Sequence, residues 1–237
     1  MSGENVYLLS VLPGLGELGS DPPLTPAELL AHLAGAPKPL AEAQAIFLGE
    51  DLRLREALLA GETEEAEPAV LSPAQLRDEQ PLPAFLAVET DEHAAGRASL
   101  AVDAVWGAYF RHAAAVGRGS RFLTEWVRHE VGLRNALAAA RAKALGLDAG
   151  RYLVEPGLGL PAEDYDGVLA EWSAAATPLA ALRGLDTARW GWIAEHDAWF
   201  TFADDELDAY AARLLLLDRW KRITQAQRGA ATPAAAR

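Results

Sequence analysis

Residues 120–145 read SRFLTEWVRHEVGLRNALAAARAKAL and are followed by Gly146. Ser120 offers a side-chain oxygen to the free N–H groups of a first helical turn, and Gly146 suits the left-handed geometry in which helices end, so one long helix is expected. At about 100° per residue, Phe122, Leu123, Trp126, Val127, Val131, Leu133, Leu137, Ala140 and Ala144 share one broad arc that should face a core. Glu130, Arg134 and Arg141 lie inside that arc, and buried ions need partners. Glu130 and Arg134 stand i,i+4 and can pair with each other, whereas Arg141, two turns further on, needs a carboxylate or carbonyls from elsewhere. Such a row is either an internal ion-pair set that fixes neighbouring helices or a surface that meets a partner. His129 falls off the arc and reads as a surface histidine.

The chain has 237 residues, no cysteine and a formal net charge of -13. Without cysteine there are no disulfides, thiolate metal sites or thiol nucleophiles, and a reducing cytoplasmic setting is expected. The acidic balance disfavours nucleic acid and anionic lipid and suits basic or mixed-charge protein partners. No apolar run approaches the roughly 20 residues that cross a bilayer, so no direct membrane insertion is expected.

Asn5 to Leu12, NVYLLSVL, has strand-like composition and reads as a short extended segment ended by Pro13 and Gly14. Thr25-Pro26-Ala27-Glu28 and Ser72-Pro73-Ala74-Gln75 are capping boxes with proline at the first helical position. Helices are expected from Pro26 to about Ala34, from Leu40 to Ala60 with a possible break at Gly49, and from Pro73 to Glu79. One or two more should lie between Phe85 and Val116. Ala162 to Ala175 should form a helix that buries Tyr165, Val168, Leu169 and Trp172. Thr177-Pro178 should open a short helix, and Asp186 should cap another that carries Trp190 and Ile193. Asp204 should cap a final long helix with Lys221 and Arg222 in its last turn. The expected organisation is an N-terminal helical lobe over 1–80, a central and C-terminal lobe over 81–224, and a disordered tail over 225–237.

DLRLREALLA at 51–60 and EVGLRNALAA at 130–139 align without gaps, sharing the apolar stripe and an acid four residues before an arginine. This echo suggests two related helical units. Catalytic motifs are missing: there is no His-Glu-x-x-His, nucleophile elbow or phosphate loop. His129-Glu130 and His196-Asp197 are adjacent pairs that diverge by about 100° on a helix and cannot chelate one metal alone. No catalytic, cofactor or metal site is expected. Trp190, Trp192, Trp199, Phe200 and Phe202 read as an interhelical seam, with a ligand pocket or a partner site as the alternative.

Three blocks together carry a family resemblance. The first is VYLLSVLPGL before a proline-rich helix entry. The second, FLTEWVRHEVGLRNALAAARAKALG, contributes Phe122, Leu123, Trp126, Glu130, Asn135 and Arg141. The third, LDTARWGWIAEHDAWFTFADDELDAYAARLLLLDRW, contributes Asp186, Trp190, Phe200, Phe202, Tyr210, Leu214, Arg219 and Trp220. With these, the chain resembles a bacterial family encoded among V-type ATPase genes and similar to the C subunit of V/A-type ATPases, known in eukaryotes as the d subunit. The resemblance implies an all-α, elongated protein of small helical lobes. It also implies a non-catalytic cytoplasmic subunit or accessory factor, peripheral to the inner membrane through protein partners, that docks between central stalk and rotor ring and binds no nucleotide. A helical assembly chaperone is the alternative. Trp126, Glu130, Arg134, Asn135, Arg141, Trp190 and Trp220 are the expected structural or partner-facing residues. The chain is shorter than the usual three-lobed protein of that kind, so one lobe would be missing or reduced.

Overall fold

The computed structural model describes residues 3–87, 98–159, 164–198, 201 and 203–231. Its α-helices are α1 (Gly3–Ser10), α2 (Pro26–His32), α3 (Pro37–Leu59), α4 (Pro73–Leu76), α5 (Ala98–Val116), α6 (Arg121–Ala144), α7 (Asp166–Ala174), α8 (Pro178–His196) and α9 (Asp204–Ala231). Among the described residues there is no strand, and no helix is long and apolar enough to cross a membrane. The expected all-α class stands at this level.

Local chemistry sets several helix starts. Glu28 N–H donates to Thr25 Oγ1 at 3.2 Å and Thr25 N–H donates to Glu28 Oε2 at 2.7 Å, a reciprocal box that opens α2. Ser72 and Gln75 repeat it at α4. Ser120 caps α6 by accepting from Leu123 N–H at 3.0 Å.

Packing follows the apolar faces. α3 lies against α9 and α5, α6 against α5 and α9, and α7 against α8. One hydrophobic core joins Leu8, Phe47, Trp106, Phe122, Ile193 and Leu214. That core draws on helices from both sides of residue 80, where α3 meets α5 and α9.

Several local expectations change. NVYLLSVL is helical as far as Ser10: α1 buries Leu8, half-buries Leu9 and exposes Val6 and Tyr7, and just beyond its end Leu12 is half-buried and Val11 exposed. That is helical rather than alternating periodicity, and a helix satisfies backbone N–H groups that a lone strand would leave unpaired. Gly49 does not interrupt α3. A Cβ there would stand 2.6 Å from the Tyr109 hydroxyl, which donates to Ala45 O at 3.1 Å, so glycine permits this approach of α5 to α3. α4 ends at Leu76, short of Glu79. Asp186 caps nothing, because α8 runs unbroken through it. α7 buries no residue fully; Tyr165, Val168, Leu169 and Trp172 are half-buried. α9 continues to Ala231 because no proline stops it before Pro233, so 225–231 is helical and Lys221 and Arg222 lie mid-helix. Residues 232–237 lie outside the described residues.

The acidic echo at Asp51 has its own function in the fold. Its carboxylate accepts the backbone N–H groups of Ala69, Val70 and Leu71 at 2.9, 2.7 and 2.8 Å, tying the 60–72 connection to α3. Asp51→Ala leaves three donors without their acceptor and should lower unfolding stability by about 2–4 kcal/mol in a urea titration.

Candidate functional site

Asp186 is fully buried on α8 and binds three donors. Its Oδ1 accepts from Arg189 Nη1 at 3.1 Å and Arg219 Nη1 at 2.6 Å, and its Oδ2 accepts from Trp220 Nε1 at 3.0 Å. Arg219 continues to Glu50 Oε2 through Nε at 3.0 Å and Nη2 at 2.5 Å, and Arg222 Nη2 donates to Glu50 Oε1 at 2.7 Å. Arg189 reaches the other way, to Glu130, through Nε at 2.6 Å and Nη2 at 3.2 Å, and Arg53 Nη2 joins Glu130 at 2.9 Å. Three carboxylates and four guanidiniums from α3, α6, α8 and α9 thus form one connected network. Burial alone would raise the Glu50 and Glu130 carboxyls, but Arg219 and Arg222 at Glu50, and Arg189 and Arg53 at Glu130, hold both well below the usual carboxylate range. These acids are ion-pair acceptors, not proton donors.

The structure separates the residues expected to act together on α6. Glu130 is buried, but it pairs with Arg189 and Arg53 and not with Arg134. Arg134 instead donates to Asp103 at 3.2 Å and lies 4.4 Å over the Trp106 ring. The i,i+4 geometry loses to a bidentate guanidinium from α8. Arg141 is exposed, makes no ion pair among the described residues, and stands 5.3 Å over Trp172. The echo diverges likewise: Asp51 serves backbone N–H groups, while Arg55 binds Asp78 and Gln75 O.

Asn135 clamps a connection. Its side-chain amide both donates to Val154 O and accepts from Val154 N–H at 2.8 Å, holding the 149–158 segment against α6. Trp126 is buried beside Phe122, Trp192 and His129. His129 is therefore buried, not at the surface: it stacks on Trp192 at 4.8 Å, and the aromatic wall covers the position the wheel placed outside. Trp190 is half-buried with Arg213 at 6.0 Å, while Trp199, Phe200 and Phe202 lie outside the described residues. His196 stacks on Trp192 and Asp197 pairs with Arg213, and no group of side chains suited to a metal occurs among the described residues.

A cavity of about 620 Å³ opens above the network. Glu50, Glu130, Arg189 and Arg219 line it from the network side, Arg53, Arg134, Arg141 and Arg222 add further charge, and leucines from α3, α6 and α8 supply apolar wall. Sequence reasoning missed Glu50, Arg53, Arg189 and Arg222. Arg189 stands i,i+3 from Asp186, and Arg219 directly follows LLLLD, so acid-arginine spacing beside apolar runs was the available signal.

A second charged cluster joins the N-terminal ends of α3, α6 and α9. Ser120 Oγ contacts Asp208 Oδ2 at 2.5 Å and Asp205 Oδ1 at 2.9 Å, and Lys38 pairs with Asp204. Glu42 is fully buried there, with Lys38 Nζ 3.6 Å away. Burial pushes its carboxyl up to about 7; Lys38 opposes this, and Asp204 and Asp205 reinforce it.

No family model, curated protein or solved structure matches the chain.

Asp186→Ala strips two buried guanidiniums of an acceptor and should cost about 3–5 kcal/mol in denaturant unfolding. Arg141→Gln should change stability by less than about 0.5 kcal/mol. Because folding raises the Glu42 pKa, the folded chain holds that proton more tightly than the unfolded one. The stability contribution of Glu42 is complete below its ordinary value near 4.5 and is lost as pH rises to about 7. Melting curves across pH 4.5–7.5 should show that loss superimposed on the other groups, and Glu42→Gln should reduce it.

Proposed function

We propose that this chain is a non-catalytic subunit or accessory factor of a V/A-type ATPase, docking between the central stalk and the membrane rotor ring through protein partners. The observation that carries the reading is the use to which the resemblance residues are put. Glu130, Asp186, Arg219 and Trp220 meet in one buried network, Phe122, Leu123, Trp126 and Leu214 are in the core, and Asn135 clamps a connection. These are tasks of shape. A chain recognised by its shape-determining residues fits a rigid adaptor whose work is to hold a surface against partners.

The charge balance supports the same reading. Glu50 and Glu130 are held ionised against arginines and are poorly suited to proton transfer. The net charge of -13 favours encounter with basic surfaces of partner proteins over nucleic acid or anionic lipid. An architecture of small helical lobes like that of the ATPase stalk-to-ring adaptor, association with the cytoplasmic side of the membrane and the absence of catalysis belong to this proposal.

Affinity purification of a tagged, natively expressed copy from gently solubilised membranes should recover ATPase stalk and ring subunits at fixed stoichiometry by quantitative mass spectrometry. Recovery of only unassembled ATPase subunits would replace the subunit with an assembly chaperone. Recovery of no ATPase component would overturn the proposal.

A further inference from the structure

The cavity above the charge network is lined by arginines that are unequally committed to carboxylates. Six arginines and four carboxylates line it, and Asp186 behind Arg189 and Arg219 and Asp218 beside Arg222 bring the charges into balance. Arg53 and Arg222 are paired with Glu130 and Glu50, and the other four arginines divide into two sets. Arg189 and Arg219 each have all three nitrogens engaged by buried carboxylates, so they form a committed floor. Arg134 makes one hydrogen bond, to Asp103, and Arg141 makes no ion pair among the described residues.

Arg134 and Arg141 are also held in place. They stand seven residues apart on one face of α6, and each guanidinium lies over an indole, Trp106 for Arg134 and Trp172 for Arg141. A planar cation supported on an aromatic ring keeps its edge N–H groups for an oxyanion and loses little freedom when one binds. Around them the walls are apolar, including Leu54, Leu137, Leu145, Leu147, Leu185 and Ile223. The volume, about 620 Å³, is that of a small-molecule site. Guanidiniums with N–H groups to spare disfavour a metal ion, and a bare inorganic anion would leave the apolar walls wet.

We propose that this cavity binds a small amphipathic anion, its carboxylate or phosphate head held by Arg141 and Arg134 and its apolar body packed along the leucine-lined wall. The site does not depend on the ATPase assignment, because it uses no partner surface.

The test uses a matched pair of fluorescent probes on the full chain. 1-Anilinonaphthalene-8-sulfonate is an aromatic anion, and N-phenyl-1-naphthylamine carries nearly the same rings without the charge. The anion should bind saturably at one site per chain. It should bind at least about tenfold more tightly than the neutral probe, and lose about tenfold or more in affinity in Arg141→Gln. Arg134→Gln should weaken it as well, while neutral-probe binding stays unchanged in both variants. Arg141 lies outside the ion-pair network, so its variant should keep the parental melting temperature. Dodecanoate and monododecyl phosphate should each compete with the anionic probe, and the more effective of the two identifies the head group. Non-saturable binding, equal affinity for the two probes, unchanged affinity in both arginine variants, or failure of both competitors would overturn the site.

Discussion

Asp186 is the centre of the network that ties α3, α6, α8 and α9 together. A carboxylate taken out of water gains nothing unless its lone pairs are filled, and here two guanidiniums and an indole N–H fill them. Arg189 and Arg219 then carry the connection to Glu130 on α6 and to Glu50 on α3. An ion network of this kind contributes little net stability over an apolar replacement, but it penalises any other arrangement that leaves one of its members alone. Helix faces rich in alanine and leucine can slide with small loss of contact. The charges fix which slide is allowed.

The same device recurs on a smaller scale wherever irregular chain must be held. Asp51 binds three successive backbone N–H groups, Asn135 mimics a strand partner for Val154, and the Tyr210 hydroxyl donates to Pro13 O at 2.9 Å. Each uses a polar side chain on a long helix to satisfy connection backbone that has no sheet to join. The fold thus rests on helix packing for its bulk and on side-chain acceptors for its definition.

Much of this was legible in the sequence where the signal is local. The capping boxes at Thr25 and Ser72 and the cap at Ser120 stand where their residue types place them, because such hydrogen bonds span three residues. The need of Glu130 for a partner was also legible, but the partner was not. An i,i+4 arginine is visible in sequence, whereas Arg189, 59 residues away, becomes its neighbour only through the packing of α8 on the core. Asp186 misled for a related reason: an aspartate after Leu185 looks like a cap until Arg189, one turn on, and Arg219 from α9 claim it. NVYLLSVL misled because β-branched and aromatic composition describes a strand only when another strand is there to pair. The cavity had no linear signature, since its arginines come from four helices.

The network around Asp186 resists shearing of the helices it joins, a property that the proposed adaptor role would require. The claim that α3, α6, α8 and α9 are held as one unit is most directly tested by native-state hydrogen exchange, comparing the parental chain with Asp186→Asn. The account predicts that protection falls together in all four helices, because Arg189 and Arg219 lose a shared charged acceptor and loosen their hold on Glu130 and Glu50. Loss of protection confined to α8, with α3, α6 and α9 exchanging as before, would contradict it.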